Sequence, residues 1–429
     1  MRSHPRTRSN PCGRRLTFTV LALLALLVPW VRGARAAVPA DPRAPVAGAT
    51  QLILSSPLPF QVFQRRTRLS GAIAFKGDAA AGARLEVRIS GASLAGALPG
   101  GWQRIPGPGS SRSFAANVAV PAGGPYTVEV RSTPPHAASS LVRVDHVGVG
   151  EVFVVSGQSN STNYGEVLQR SETGMVSSFD GTAWAPADDP QPGVQDHSTR
   201  GSFIPAFGDE LSRRYRVPIG IASVGHGSTS VRQWLPAGDP VSIMPTMTRY
   251  IVRDADGTLR SDGTLFRGMV ARIRQLGPHG FRAVLWHQGE SDSHQPAGHE
   301  IAASTYRRMM VRIIRASRRE AGWQVPWLVA QATYHTPDDT SCPPIRDAQS
   351  SLWRPGLAEP GPDTDTLTGL LRQNLGKGTH LSDAGLKAHG QLWAQAVSRY
   401  LDRVAAQHGG ARDRSSSHLL RRPATSARQ

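Results

Sequence analysis

The sequence predicts an α/β protein in which helices cover both sides of a parallel sheet, preceded by a small all-β sandwich. Two observations support this prediction. Between Leu52 and Val147, short β-runs are separated by Gly and Pro and alternate between apolar and polar residues. From Gly148 onward, buried-strand runs alternate with amphipathic helical stretches, which is typical of strands joined by crossover helices.

The alternation in the first region has a period of two, as expected for strands with one buried face. It is clearest at residues 84–89 and 126–131, where every second residue is apolar. We therefore predict an antiparallel β-sandwich accessory domain over residues 37–147. No catalytic cluster is visible in it, so a structural role is favoured, and binding of substrate by this domain is left open.

The second region, residues 148–408, is predicted to form the α/β domain. Strand runs occur at 152–155, 217–224, 283–286 and 327–330, and an amphipathic helix is predicted over 304–320. A last helix is expected to begin near Ser382, a suitable N-cap residue. Because ligands collect beyond the carboxyl ends of parallel strands, we expect the chemistry in the segments that follow each strand.

The charge of the chain is unevenly distributed. The net charge is +18, of which residues 1–36 contribute +7 and residues 409–429 contribute +4, leaving +7 over residues 37–408. Such a mildly basic core does not indicate a nucleic-acid clamp, and no nucleic-acid partner is predicted. The last segment, 409–429, is predicted to be a disordered basic tail.

Residues 1–36 have the pattern of a secretory signal peptide. Arg14 and Arg15 precede an apolar run at 16–31, and Ala34-Arg35-Ala36 offers a cleavage site. The apolar run is short compared with the ~20 residues that a spanning helix needs. We expect a secreted or periplasmic protein, cleaved after Ala36 and without stable membrane insertion afterwards. An uncleaved anchor is the alternative, and the choice between general and twin-arginine export stays open.

Metal and cofactor sites are not predicted. Cys12 lies in the predicted signal peptide, so Cys342 alone remains and no disulfide framework or Cys-based zinc site is possible. His294, His299 and Glu300 follow the third strand, but their spacing places no ligand set on one helical face.

Four segments with chemical potential follow the predicted strands. Gly157-Gln158-Ser159-Asn160 puts a serine on a strand-to-helix turn, where a hydroxyl can act as a nucleophile, although an ordinary Ser/Asn turn would look the same. The Gly-rich stretch 225–230 suits an oxyanion hole. The other two segments are 287–292, with sequence HQGESD, and 378–382, which places a histidine just before the last helix.

In this order, the segments resemble the blocks of the sialate O-acetylesterase-like SGNH hydrolases. The matching stretches are GQSN at 157–160, GSTSV at 227–231, HQGES at 287–291 and GTHLS at 378–382; RDAQ at 346–349 and GPDTD at 361–365 are also similar. The resemblance covers about residues 147–400. It implies a flavodoxin-like, three-layer hydrolase domain that removes acetyl groups from sialic acids or polysaccharides.

The resemblance also implies roles for individual residues. Ser159 matches the nucleophile and His380 the general base, and cleavage would pass through an acyl-enzyme. The backbone N–H groups of Ser159 and Gly227, together with the side chain of Gln288, are expected to form the oxyanion hole. Asn160 and Trp234 are expected to bind substrate.

One position departs from the family pattern. Lys377 stands where the family usually has the Asp that orients the catalytic histidine, and a lysine cannot accept the imidazole N–H. We therefore predict Glu290 as the orienting carboxylate, with Asp365 and Asp363 as the alternative acids. A Ser–His dyad is a further possibility. If activity is lost, the alternative function is a non-catalytic glycan-binding protein on a decayed hydrolase scaffold. The sugar, the acetylated position and the oligomeric state stay open.

Overall fold

A computed structural model describes residues 51–418 of the chain, with side chains up to residue 406. The predicted signal peptide and residues 419–429 lie outside the described residues. The first eight strands are β1 (Ile53–Ser56), β2 (Val62–Gln64), β3 (Ser70–Asp78), β4 (Arg84–Ser93), β5 (Gln103–Ile105), β6 (Ser113–Pro121), β7 (Gly123–Thr133) and β8 (Ser140–Gly157).

The remaining strands are β9 (Val176–Phe179), β10 (Trp184–Pro186), β11 (Ile219–Ser223), β12 (Pro240–Val241), β13 (Ile251–Arg253), β14 (Leu259–Ser261), β15 (Ala283–His287), β16 (Trp327–Gln331) and β17 (Glu359–Asp363). The helices are α1 (Ile204–Tyr215), α2 (Thr264–Leu276), α3 (Glu290–Ser293), α4 (Ala303–Ala321), α5 (Pro343–Ser350), α6 (Gln373–Gly376) and α7 (Asp383–His418). Short 3₁₀ turns lie at Ser159–Ser161, Val231–Trp234 and Gly369–Leu371.

Apart from β2, which pairs in parallel with β8, the first part of the described chain consists of antiparallel strands around one apolar cluster. β3 pairs with β1 and β6, while β4 pairs with β5 and β7, and β7 pairs with β8. Leu85, Val87 and Ile89 on β4 face the cluster together with Tyr126 and Val128 on β7. The period-two alternation seen in the sequence is thereby confirmed, because the apolar residues share the face that packs into the cluster, although Glu86 on β4 is buried as well.

A parallel sheet forms the second part of the fold. Its strands lie side by side in the order β9-β11-β8-β15-β16-β17, all parallel, with β10 antiparallel at the β9 edge. Val152 and Val154 on β8 pack with α2 and α4, whereas Phe153 and Val155 pack with α1 and α7 on the opposite face. Helices therefore cover both faces, as predicted for an α/β protein.

Two predicted helices are confirmed. The helix predicted over 304–320 is α4, and its apolar face, including Tyr306 and Ile313, is buried. The last helix, α7, begins at Asp383, and the Ser382 hydroxyl accepts the Gly385 N–H at 3.2 Å, as an N-cap does. α7 continues past Gly409, where the sequence predicts the disordered tail to begin.

Strand β8 runs unbroken across the predicted domain boundary at residues 147 and 148. Residues 140–149 pair with β7, and residues 151–157 pair with β11 and β15. Glu151, at the junction, is 1% exposed and forms ion pairs of 2.7 Å with both Arg65 and Arg282. The division into two domains stays a prediction, since one strand belongs to both parts.

None of the helices within residues 51–418 is both long and apolar enough to cross a membrane.

Candidate active site

The carboxyl ends of β8 and β15 are in close backbone contact, and this contact positions Ser159. Gly157 has a φ of 134°, and a Cβ atom there would lie 1.9 Å from the His287 carbonyl oxygen. Only glycine allows the two strands to approach this closely. The Gln158 N–H donates to the same carbonyl at 2.9 Å. Ser159 therefore follows directly on the junction between the central strands.

Ser159 keeps its reactive groups unpaired. Its carbonyl oxygen accepts the N–H and the hydroxyl of Thr162, both at 3.0 Å, and these bonds fix the turn. Neither the Ser159 hydroxyl nor its N–H has a hydrogen-bond partner among residues 51–418, although the residue is only 4% exposed. Both groups are thus available to a bound molecule, as a nucleophile and an oxyanion donor must be.

His380 lies in the loop between α6 and α7, and the loop after Ser159 packs against it. The rings of Tyr164 and His380 are 5.0 Å apart between centroids. The Glu166 N–H donates to the Leu381 carbonyl at 2.9 Å. No hydrogen bond joins Ser159 to His380 in the described part of the chain, and such bonds often tighten only when substrate binds.

The surroundings of His380 favour its neutral form. Burial, and after it the positive charges of Arg372 and Arg200, lower the pKa of His380 to about 4. At neutral pH the imidazole therefore carries no charge and can accept a proton, as a general base must.

The ring nitrogen Nδ1 of His380 faces Gln373. Its distance to Gln373 Nε2 is 3.1 Å. Gly378 makes room for this side chain, since a Cβ at Gly378 would lie 2.2 Å from Gln373 Cγ. The side chain of Lys377 is exposed to solvent and makes no hydrogen bond within the described residues.

The predicted orienting carboxylate, Glu290, is directed elsewhere. It is 5% exposed, and its Oε1 accepts the Asn160 side-chain amide at 3.0 Å and lies 3.7 Å from His287 Nδ1. Burial raises the pKa of Glu290 to about 7, against the opposing effect of the bond from Asn160. No contact joins Glu290 to His380 in the described residues, and the orienting role stays a prediction.

The alternative acids are also bound to other groups. Arg346 donates to both Asp363, at 2.7 Å, and Asp365, at 2.6 Å. Asp365 further accepts the N–H groups of Thr333 at 2.6 Å and Tyr334 at 2.8 Å. These bonds use the carboxylates for the structure of the loops after β16 and β17, and neither acid contacts His380.

Gln288, the side chain predicted to serve the oxyanion hole, is buried and hydrogen-bonded within the protein. Its side chain has no exposed surface, and its Nε2 donates to Asp292 Oδ2 at 2.7 Å and to the Thr229 carbonyl at 3.0 Å. An amide nitrogen has two hydrogens, so both are used inside the protein. Gln288 therefore has no donor left for an oxyanion.

Gly227 lies beside Tyr164, and its N–H is already hydrogen-bonded. A Cβ on Gly227 would lie 2.7 Å from the Tyr164 ring, which places this loop beside the Tyr164 that packs on His380. The Gly227 N–H donates to Asp196 Oδ2 at 2.6 Å. A negatively charged oxygen is therefore already bound at the predicted oxyanion glycine.

The two predicted substrate-binding residues differ in position. Trp234 has no exposed surface; its Nε1 donates to Thr229 Oγ1 at 2.9 Å, and its ring packs edge-on against Trp286. It is a core residue in this structure, and its contact with substrate stays a prediction. Asn160 lies beside Ser159 and is nearly buried, with its amide bonded to Glu290.

Sequence reasoning missed three site residues: Gln373, Asp196 and Arg372. Arg372 is buried over the Tyr334 ring at 3.7 Å, and burial lowers its pKa to about 10. The one available signal was the departure at Lys377, which leaves the ring of His380 without its usual acceptor. No motif marks the others, because the fold alone brings them to the site.

Comparison with known proteins identifies the class of this chain. The sequence profile of a family described as carbohydrate esterase, sialic acid-specific acetylesterase, matches residues 149–399. This match spans more than half of the 429 residues. The protein is a carboxylic ester hydrolase. More specifically, the chain belongs to the sialic acid-specific acetylesterase family of carbohydrate esterases, which confirms the resemblance found in the sequence.

Two solved structures are similar at low identity. A carbohydrate acetylesterase from Xanthomonas citri is 19% identical, with a TM-score of 0.48, over 80% of this chain and 74% of that chain. A protein from Arabidopsis thaliana is 19% identical, with a TM-score of 0.42, over 58% of this chain and 97% of that chain. The search of curated proteins found no match.

Proposed function

We propose that this chain is an exported serine esterase that removes O-acetyl groups from carbohydrates, with Ser159 as nucleophile and His380 as general base. The observation on which this rests is the state of Ser159. Its hydroxyl and N–H are both unpartnered in the described residues, at the end of the central strand and in a loop that packs on a neutral histidine. Membership of the carbohydrate esterase family supplies the substrate class.

The reaction would proceed through an acyl-enzyme. Ser159 Oγ attacks the carbonyl carbon of the acetyl ester while His380 Nε2 takes the hydroxyl proton. The tetrahedral intermediate collapses, its C–O bond to the sugar breaks, and the imidazolium returns the proton to the sugar oxygen. Water, deprotonated by His380, then attacks the acetyl-serine, and acetate leaves as Ser159 is regenerated.

Gln373 would orient His380 in place of a carboxylate. If Nε2 is to accept a proton, Nδ1 must carry one and needs an acceptor. Turning the Gln373 amide by about 180° replaces Nε2 with Oε1 at the same place, and Oε1 has no other partner in the described part of the chain. The close packing of Gln373 on Gly378 supports this role, because it keeps the Gln373 amide next to the His380 ring.

The oxyanion would be stabilised by backbone donors. The Ser159 N–H is unpartnered among the described residues, and the Gly227 N–H already binds a carboxylate oxygen of Asp196. We infer that the oxyanion displaces Asp196 from Gly227, since a negative oxygen of similar size occupies that position.

The proposal extends to fold and location. Without the edge strand β9, the other five parallel strands β8, β11, β15, β16 and β17 have the spatial order 2-1-3-4-5 when numbered along the chain, which supports a flavodoxin-like domain with β9 added beyond β11. The predicted signal peptide supports export, and the antiparallel strands before β8 would form the accessory sandwich.

Acetate release tests the proposal directly. The protein, with its signal peptide removed, is incubated with acetylated sialic acids, acetylated xylan and an aryl acetate. We expect acetate from at least one of them, and none above background from Ser159→Ala. Equal rates for both proteins would overturn the proposal.

The glycan-binding alternative is favoured by one observation, the absence of a carboxylate on His380 in the described residues. It predicts binding of acetylated glycans without release of acetate. Gln373→Glu and Lys377→Asp each offer the ring a carboxylate, so activity gained only in these variants would support the decayed scaffold. Activity in the wild type, lost in Gln373→Ala and retained in Gln373→Glu, would exclude it.

A further inference from the structure

Three potential metal ligands meet beyond the ends of β15 and β16. His294 follows α3, while His335 and Asp339 lie in the loop after β16. One ligand atom from each residue lies within 4.8 Å of those from the other two. The two imidazole rings are stacked, with centroids 4.4 Å apart. Sequence spacing gave no sign of this cluster, because its members come from two separate loops.

The ring of His294 is oriented by a hydrogen bond to a backbone carbonyl, as is usual for metal-binding histidines. Its Nε2 lies 2.5 Å from the Thr333 carbonyl oxygen, which can only accept a hydrogen bond, so Nε2 carries a proton. This bond to a backbone carbonyl fixes the ring and leaves Nδ1 directed at Asp339 Oδ2, 2.6 Å away. Two atoms with lone pairs approach this closely only when a proton or a metal ion lies between them.

The other two ligands are preset by a tight turn. The N–H groups of His335 and Thr336 both donate to the Asp339 carbonyl, at 3.1 and 3.2 Å, and this turn keeps the two side chains on one side. His335 Nδ1 lies 4.0 Å from Asp339 Oδ2, and its ring makes no hydrogen bond within the described residues. Both side chains are about half exposed, so an ion can reach them.

The distances bracket those of a tetrahedral ion. Zinc binds nitrogen and oxygen ligands at about 2.0–2.1 Å, which separates neighbouring ligand atoms by about 3.3 Å. The separations of 2.6 and 4.0 Å from Asp339 Oδ2 lie on either side of this value, and the ligand nitrogens of the two rings lie within 4.8 Å of each other. Because the stacked rings hold their lone pairs in nearly parallel planes, the His335 ring must turn for all three ligands to reach one ion. Two imidazoles and one carboxylate suit Zn²⁺, whereas Ca²⁺ and Mg²⁺ prefer oxygen ligands.

We propose that His294, His335 and Asp339 form a binding site for a divalent transition-metal ion of the zinc type, with a fourth position open to water. The site is separate from Ser159 and does not depend on the proposed esterase mechanism. It adjoins the loop of the general base, because the Thr379 hydroxyl donates to the His335 carbonyl at 2.9 Å. Bound metal would therefore tie the loop after β15 to the loop after β16, beside His380.

The test is direct binding of metal to the full chain. Protein dialysed against chelator is titrated with Zn²⁺ by calorimetry, and with Co²⁺ by its visible absorption, which is strong only in tetrahedral sites. We expect one equivalent to bind with a Kd below about 1 µM, and His335→Gln and Asp339→Asn each to weaken binding at least about 100-fold. These two side chains are exposed, so both variants should fold, as circular dichroism would show.

Asp338→Asn is the matched control, since it removes the same charge one residue away and outside the cluster. It should bind metal like the wild type. The proposal is overturned if no equivalent binds more tightly than millimolar. It is equally overturned if binding is unchanged in His335→Gln and Asp339→Asn, because the metal then occupies other histidines of the chain.

Discussion

Two clusters of polar residues lie side by side at the carboxyl edge of the sheet, and they differ in how completely they are hydrogen-bonded. In the saturated cluster of Gln288, Asp292 and Thr229, the Gln288 amide has used both hydrogens and both Asp292 oxygens accept bonds. In the unsaturated cluster of Ser159, Glu290 and His287, the serine hydroxyl, Glu290 Oε2 and His287 Nδ1 have no hydrogen-bond partner among residues 51–418.

The difference in hydrogen bonding indicates that one cluster stabilises the fold and the other is available for chemistry. Buried polar groups without partners cost stability, so a protein retains them only where something else gains. The saturated cluster holds the ends of the strands in place. The unsaturated cluster leaves donors and acceptors available beside Ser159, the proposed nucleophile. Four predictions test this contrast, in order of expected effect.

The largest effect is expected at Ser159. Ser159→Ala should lower kcat by roughly 10⁴-fold or more, because no other group supplies the nucleophile. The free energy of unfolding should change by less than about 0.5 kcal/mol, since the hydroxyl makes no bond within the described residues. Steady-state kinetics and urea unfolding measure the two.

Ser161→Ala is its control, two residues further on. The Ser161 hydroxyl donates to the Gln158 carbonyl at 2.7 Å, so its loss should cost about 1 kcal/mol of stability with little loss of kcat. A large loss of kcat in Ser161→Ala, with activity retained in Ser159→Ala, would reverse the assignment.

The saturated cluster should respond in stability. Asp292→Asn should lower the free energy of unfolding by roughly 3–5 kcal/mol, because it leaves the buried Arg232 guanidinium without its anion, 3.5 Å away. Turnover per folded molecule should change little. Asp254→Asn, which breaks the exposed pair with Arg260, should cost less than about 1 kcal/mol. Similar costs for the two variants in urea unfolding would show that Asp292 is not part of a scaffold.

Glu290 should make stability depend on pH. Its pKa is raised from 4.5 to about 7 in the folded protein, so folding favours the protonated form. Stability is then full below pH 4.5 and falls as pH rises towards 7, by roughly 3 kcal/mol in total. Glu290→Gln should remove this dependence in urea unfolding between pH 4.5 and 8. An unchanged slope in the variant would assign the dependence to another group.

The smallest effect concerns the acid limb of activity. With the pKa of His380 lowered to about 4, the rate should fall less than about tenfold between pH 7 and 5 and be lost as pH passes through 4. Arg200→Gln removes one of the charges that lower this pKa, so its acid limb should move to higher pH. A wild-type limb near 6.5, the ordinary value for histidine, would contradict the burial of the base.

The sequence predicted the fold better than the hydrogen bonding. Alternation on β4 and β7, the apolar face of α4 and the cap at Ser382 depend on local periodicity, which a single sequence displays. Segment 157–160 lies where β8 ends, because the sequence shows the end of this buried strand. Segment 378–382 follows α6 and contacts the loop after Ser159. The hydrogen-bond partner of each side chain cannot be read from such local patterns.

The hydrogen-bond partner of a side chain depends on contacts between distant loops. The sequence predictions differ most from the structure at these contacts. Glu290 and Asp365 are carboxylates at the right edge of the sheet, yet Asn160 and Arg346 occupy them. Trp234 follows a Gly-rich loop, as a substrate-binding residue would, yet it packs edge-on against Trp286. Residue type and order could not show that Gln373 faces His380, because an amide in a loop carries no distinctive pattern.

The unbroken strand β8 limits where the N-terminal strands could be recombined with those of related proteins. A recombination joint at residues 147 and 148 would cut a paired strand ten residues before its end and leave Glu151 without Arg65. Shuffling of the N-terminal strands between relatives should therefore succeed only with joints in the loop before Ser140, and even there the new neighbour must supply a cation for Glu151. The strand that positions Ser159, the proposed nucleophile, is therefore the same strand that pairs with the N-terminal part of the fold.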